Sequence, residues 1–264
     1  MVSRSGFYKW LKPSHRSRKL ANQELDERLL ELFTFHKGRY GVPRMHQAIK
    51  KSLPCSKNRV ARRMKELNLQ AKRKKRFKIT TQAENLISIP KNILNREFNA
   101  VAINQKWVSD ITYIRTKQGW VYLACVIDLC SRAVIGWSIQ AKSGHQLVID
   151  ALRMALIRRN YPKQVIIHSD RGNQYRSSSY YALIKKYDLI YSMSRLGNCW
   201  DNAVVESFFS TLKKELVYKA QYQTKEEAEL SIFEYIEVYF NRYREHSSIG
   251  FLPPAVFECT LRKK

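Results

Sequence analysis

The stretch Lys106-Trp107-Val108-Ser109-Asp110-Ile111-Thr112-Tyr113-Ile114 reads as an extended strand. Alternation sends Val108, Asp110, Thr112 and Ile114 to one face and Trp107, Ser109, Ile111 and Tyr113 to the other. Lys117-Gln118-Gly119 is a turn, and Trp120 to Asp128 is the almost continuous apolar run expected of a strand covered on both faces. Ala133 to Ile139 reads as a third strand. Strands so close in sequence predict an antiparallel meander.

Downstream, helical and extended patterns alternate. Ser143 is placed to cap a helix running to about Asn160, with Leu147, Ala151, Met154 and Ala155 inward. After Pro162 come a short buried strand, Val165 to His168, a helix from Ser179 to Tyr187, and a strand from Leu189 to Met193. The loop Ser194 to Asn202 leads into a long helix, Ala203 to about Leu216, and a last aromatic-rich helix covers roughly Lys225 to Arg244. The order βββαβαβα is that of an α/β, RNase H-like fold, a mixed sheet flanked by helices.

Upstream of Lys106 the chain is different in kind. Residues 1–79 carry 23 basic and 5 acidic side chains, most of the net charge of +26 carried by all 264 residues. They read as a small all-α module of helix-turn-helix type. Its helices run from Ala21 to His36, from about Pro43 to Ser52, and from Lys57 to Leu67 behind a Ser56 N-cap. On the third helix Arg59, Arg62 and Arg63 share a face, which marks them as candidate DNA contacts, or else as a solvated basic surface. Lys72-Arg73-Lys74-Lys75-Arg76 reads as a basic arm or phosphate clamp. The expected division is a basic helical DNA-binding module over 1–70, a basic linker over 71–103, the α/β core over 104–220 and a helical extension over 221–264.

So positive a chain makes an acidic metabolic enzyme an unlikely reading and points to a polyanion, nucleic acid before membrane. The longest apolar run, Trp120 to Ile127, is far short of the roughly 20 residues of a spanning helix. The N-terminus shows no apolar signal-peptide segment. Five cysteines without a CxxC fit a reducing compartment and read as small buried hydrophobes. The expected location is the cytoplasm.

Three carboxylates stand out by position. Asp110 lies mid-strand among apolar neighbours, where an acid is poorly tolerated unless paired or metal-bound. Asp170 follows the end of a buried strand, and Glu206 lies near the start of the long helix. Hard divalent cations take carboxylate oxygens, and two such ions serve phosphodiester chemistry. Lys213, seven residues after Glu206, returns to nearly the same helix face. Taken singly, Asp170 also reads as a turn acid, Glu206 as a surface acid and Lys213 as an exposed lysine. Of their neighbours, Asp128 reads as structural, Asp201 as a helix N-cap or a residue that orients the site, and His168 as a packing residue or a support behind the site.

The segments Asn104 to Tyr113, Val126 to Arg132, His168 to Tyr175 and Ser192 to Phe209 resemble the catalytic core of bacterial insertion-sequence transposases of the retroviral-integrase type. The resemblance is to the branch encoded in two overlapping frames, and to its second-frame product. It extends to Val2 to Tyr8 and Arg39 to Arg44 at one end, and to Tyr239 to His246 and Pro253 to Glu258 at the other. The 35 residues between Asp170 and Glu206 fit the family's spacing. The resemblance implies that Asp110, Asp170 and Glu206 are the Asp-Asp-Glu catalytic acids, binding two Mg²⁺ or Mn²⁺. It makes Lys213 a contact to terminal DNA. The implied reaction is hydrolysis at an element end, followed by attack of the freed 3′-hydroxyl on another strand. The implied partners are double-stranded DNA, an upstream-frame product or frameshift fusion, and further copies of the chain on DNA. A nuclease of the same fold and a non-enzymatic DNA-binding protein are the alternatives.

Overall fold

The structure, a computed structural model, describes residues 14–71, 89–196 and 199–262, with Arg4, Phe7 and Tyr8. The chain divides into two compact units, Met1–Lys75 and Arg76–Lys264.

In the first unit three helices enclose a small core: α1 (Ser14–Phe35), α2 (Val42–Lys50) and α3 (Lys57–Glu66). Leu25, Leu29, Tyr40, Met45, Ile49, Val60 and Met64 are buried together. The α1–α2 turn is fixed by His36, whose ring stacks on Tyr40 with centroids 3.6 Å apart. A proline in its first turn starts α2, and the Ser56 side chain accepts from the Arg59 amide to cap α3, as the sequence predicts.

The second unit is built on a five-stranded sheet: β1 (Lys106–Thr116), β2 (Gly119–Asp128), β3 (Val134–Gln140), β4 (Ile166–Ser169) and β5 (Ile190–Met193), in the order β3-β2-β1-β4-β5. The first three form the predicted antiparallel meander, while β4 and β5 add in parallel beside β1. Helices α4 (His145–Arg158) and α5 (Ser178–Lys186) belong to this unit, and Leu147, Ala151, Leu152 and Ala155 of α4 pack with Trp107, Ala124 and Val126 of the sheet. Contact between α4 and β3 is intimate: a Cβ on Gly136 would stand 2.2 Å from the Ala151 carbonyl. Ser143 does not cap α4. The helix starts at His145 behind Gly144, and Ser143 instead accepts from the Gln174 side chain.

After α6 (Ala203–Glu215), helix α7 (Lys225–Phe233) continues as a wide-turned π segment, Glu234–Phe240, where one long helix was expected. The last helix is α8 (Pro254–Arg262). This C-terminal region meets the outer edge of β3 at its first residue. The Asn241 amide donates to the Val134 carbonyl at 2.9 Å and accepts from the Val134 N–H at 3.0 Å, as a neighbouring strand would. Cys125 and Cys130 are buried as expected, but Cys259 is exposed.

Candidate functional site

The site forms where the sheet loses a strand. On its β4 side β1 is paired only over Lys106–Val108, so its backbone is open there from Ser109 onward. Helix α6 occupies that side: Asn202, which precedes it, donates its side-chain amide to the Ser109 carbonyl at 3.2 Å. This bond anchors the start of α6 on β1, with Glu206 in its first turn within electrostatic range of Asp110.

Asp110, Asp170 and Glu206 are thereby brought into mutual electrostatic range. Burial pushes the Asp110 carboxyl well up, and the Asp170 and Glu206 charges push it further. Burial also raises Asp170 and Glu206, and Asp170 adds to the effect on Glu206. The strain reaches neighbours: Cys125, opposite Asp110 in the ladder, and Tyr175 are both raised by burial and then by the Asp110 charge. Two short bonds hold the aspartates in place. Asp110 Oδ1 accepts from the Ile111 N–H at 2.7 Å, and Asp170 Oδ1 from the Gly172 N–H at 2.9 Å. Among the described residues no group of three His, Cys, Asp or Glu side chains stands close enough together to hold a metal ion.

One cation stands with them. The Lys213 ammonium is pulled down by burial and held up by Asp110. Its Nζ lies 4.6 Å from the centroid of the Tyr113 ring.

The neighbouring groups divide by role. Asp128 is structural as predicted: it is buried and accepts from the Asn104, Cys130 and Ser131 amides and from Trp107 Nε1. His168 is likewise a packing residue, its ring bonded to the Ser192 and Ser194 hydroxyls at 2.8 and 3.0 Å and held neutral by burial, which lowers its pKa to about 4.

Asp201 is not an N-cap. Fully buried, it accepts from the Arg195 backbone N–H and guanidinium, from Arg96 Nε and from the Asn92 amide. These partners hold it well below the usual carboxylate range. The Ile93 and Leu94 amides donate in turn to Ser192. Residues 92–96, read as linker from composition, are thus strapped to the loop that precedes α6. The Asp201-Asn202 pair was visible in the sequence. Its long-range partners, more than ninety residues upstream for Asn92, carry no local signal.

In the helical module the three arginines separate. Arg59 donates to the Asn22 side chain from Nε and Nη2, at 3.1 and 2.8 Å. Arg63 pairs with Asp26 across the helices and with Glu66. Both tie α3 to α1, whereas Arg62 is exposed. Lys72 to Arg76 lie outside the described residues.

Comparison with known proteins covers nearly the whole chain. Family models described as "Integrase core domain" match residues 100–199 and 206–260, and one described as "HTH-like domain" matches 20–77. The chain is 43% identical over 260 residues to the transposase InsF of insertion sequence IS3A from Escherichia coli K12, covering 97% of this chain and 90% of that protein. It is 38% identical over 261 residues to a 31 kDa protein of insertion element IS600 from Shigella sonnei, covering 97% and 94%. In fold alone it is similar to a chain of the simian T-cell lymphotropic virus intasome, with a TM-score of 0.51 at 16% identity over 66% of this chain and 60% of that one. No helix among the described residues is long and apolar enough to cross a membrane. An integrase core behind a helix-turn-helix-like module, with a transposase relative of this identity and coverage, places the chain in the family of IS3 insertion-sequence transposases.

Proposed function

We propose that the chain cuts a phosphodiester at the ends of its insertion sequence and joins the freed 3′-hydroxyl to another strand, with Asp110, Asp170 and Glu206 as the catalytic acids. The observation that supports this reading is topological: β1 and β4 pair in parallel just before Asp110 and Asp170, and Glu206 in the first turn of α6 lies within electrostatic range of both, all three carboxyls being raised by burial. Three acids so placed are a poor arrangement for stability alone. They suit a pair of Mg²⁺ or Mn²⁺ ions, which take carboxylate oxygens. When bound, such ions supply charge neutralisation at the scissile phosphate and acidify an attacking oxygen. The protein's own part is positioning. The Asn202–Ser109 bond anchors the start of α6 on β1, the Gly172 amide orients Asp170, and Lys213 offers an ammonium within electrostatic range of Asp110 for a DNA phosphate.

Residues 1–70 serve as the DNA-binding module. There Arg62 is the arginine of α3 free to meet phosphate, while Arg59 and Arg63 hold the helices together. Lys72, Arg73, Lys74, Lys75 and Arg76 add positive charge to the chain joining module and core. Assembly on double-stranded DNA with an upstream-frame product, or as a fusion with it, and with further copies of the chain, belongs to the same reading. So does a cytoplasmic, nucleoid-associated location.

The test is incubation of the purified chain, with and without the upstream-frame product, on labelled element ends and on ends pre-cut to a 3′-hydroxyl, with Mg²⁺ or Mn²⁺. Joined products should form, and Asp110→Asn, Asp170→Asn and Glu206→Gln should each abolish them while DNA binding survives. Cleavage without joining would make the chain a nuclease, and full joining by all three variants would overturn the assignment.

A further inference from the structure

A lysine within electrostatic range of the Asp110 carboxylate has an obvious partner, yet the Lys213 ammonium lies against an aromatic face, 4.6 Å from the Tyr113 centroid. That ring belongs to a small built corner. Tyr113 meets the Trp120 ring edge to face, with centroids 5.2 Å apart and planes at 82°. The two are diagonal neighbours on the β1–β2 ladder, where Tyr113 faces Tyr122 and Trp120 faces Arg115. Arg115 in turn lies over the Trp120 ring at 5.9 Å. Tyr113 is 56% exposed and Trp120 45%, so burial does not explain why aromatic rings stand here.

We propose that Tyr113 is a positioning residue for Lys213: its ring holds the ammonium by cation–π attraction, off the catalytic carboxylates and ready for a DNA phosphate. This rests on the role given to Lys213 above. The physical need is plain. A lysine side chain is a flexible four-carbon stem carrying a point charge, and it goes where the field draws it. Left free near Asp110, the ammonium would form an ion pair with it and occupy oxygens meant for a divalent cation. The Tyr113 ring supplies a competing attraction that leaves those oxygens free. Trp120 fixes the ring plane from its edge, and Arg115 covers Trp120. The phenol hydroxyl has no part in this, so a phenylalanine should serve as well as the native residue.

The experiment is a double-mutant cycle in the joining assay with pre-cut ends, on the full chain, with folding checked by circular dichroism. Lys213→Ala should impair joining. Tyr113→Leu should lower it by about 2- to 5-fold, the worth of one exposed cation–π contact, and should have no effect in the Lys213→Ala background. Tyr113→Phe should restore wild-type activity. A second series, with phenylalanines of increasing fluorination at position 113, changes the ring's charge with little change in shape. Activity should fall with each fluorine, a response a merely structural role would not give. If Lys213→Ala impairs joining but Tyr113→Leu or the fluorinated series does not, the positioning role is wrong and the role of Lys213 stands. If Lys213→Ala joins normally, both are wrong, while the carboxylate variants still report on the catalytic assignment.

Discussion

Helix α6 carries both Glu206 and Lys213, and its far end is tied down by a buried ion pair. The Glu215 carboxylate, its last residue, accepts from Arg244 Nε at 3.0 and 3.2 Å, from Arg244 Nη2 at 2.8 Å and from the Tyr235 hydroxyl at 2.7 Å. The arginine side chain is 3% exposed and the glutamate 11%. Removing one partner from such a pair strands a charge where water cannot reach it, and costs about 3–5 kcal/mol. We therefore expect Arg244→Ala to destabilise the catalytic unit by roughly 4 kcal/mol, a fall in Tm of about 8–16 °C at this size. Trp107 and Trp137, both buried in the core, report the transition by fluorescence during urea unfolding. The informative comparison is the pair Arg244→Met and Glu215→Leu made together. With both charges gone neither is left without its counter-charge, and the double variant should be more stable than Arg244→Ala alone, though the Tyr235 hydroxyl loses its acceptor. The reasoning fails if Arg244→Ala costs less than about 1 kcal/mol, or if the double variant loses the sum of the two single losses.

Millimolar Mn²⁺ or Mg²⁺ should raise the Tm of the wild type, by about 1.4 kcal/mol of stabilisation at tenfold the dissociation constant, and should not raise that of Asp110→Asn; calorimetry decides. Gly136→Ala should cost about 1–3 kcal/mol in urea, because the added methyl meets the α4 backbone. Arg62→Ala should weaken DNA binding evenly across sequences and reduce the salt dependence by about one unit of slope, read by fluorescence anisotropy across a salt series. Arg63→Ala should show instead as a loss of helical-module stability, because it removes the pair with Asp26 that ties α3 to α1.

The architecture explains why a carboxylate is tolerated in the middle of a central strand. The edge of β1 is paired along its whole length by β2, but on the other side only over three residues by β4. Asp110 sits just beyond that pairing, at the opening filled by α6. The cost of the buried charge is confined to the point where the proposed chemistry needs it.

The strands were legible because alternation and apolar runs are local properties, and so was the order that sorts them into a mixed sheet. The triad was legible as residue types at meaningful places, given weight by the family resemblance. Boundaries governed by crowding were not: the predicted single helix over Lys225–Arg244 widens into a π segment at Glu234, where Tyr235, Ile236, Tyr239 and Phe240 are packed side by side. Neither was the division of labour among the α3 arginines, since Asn22 and Asp26 are 37 residues from the groups they hold.

What the sequence determined alone was the period of each element, and the surplus of positive charge and its concentration ahead of the core. Those depend on neighbours a few positions apart or on composition. Only the tertiary structure decided which groups share a field: Asn202 on the Ser109 carbonyl, Asp201 strapped to Asn92 and Arg96, and Lys213 over Tyr113. Coulombic and hydrogen-bonding energies depend on distance in space, and chain separation does not encode that distance until the sheet and helices have formed.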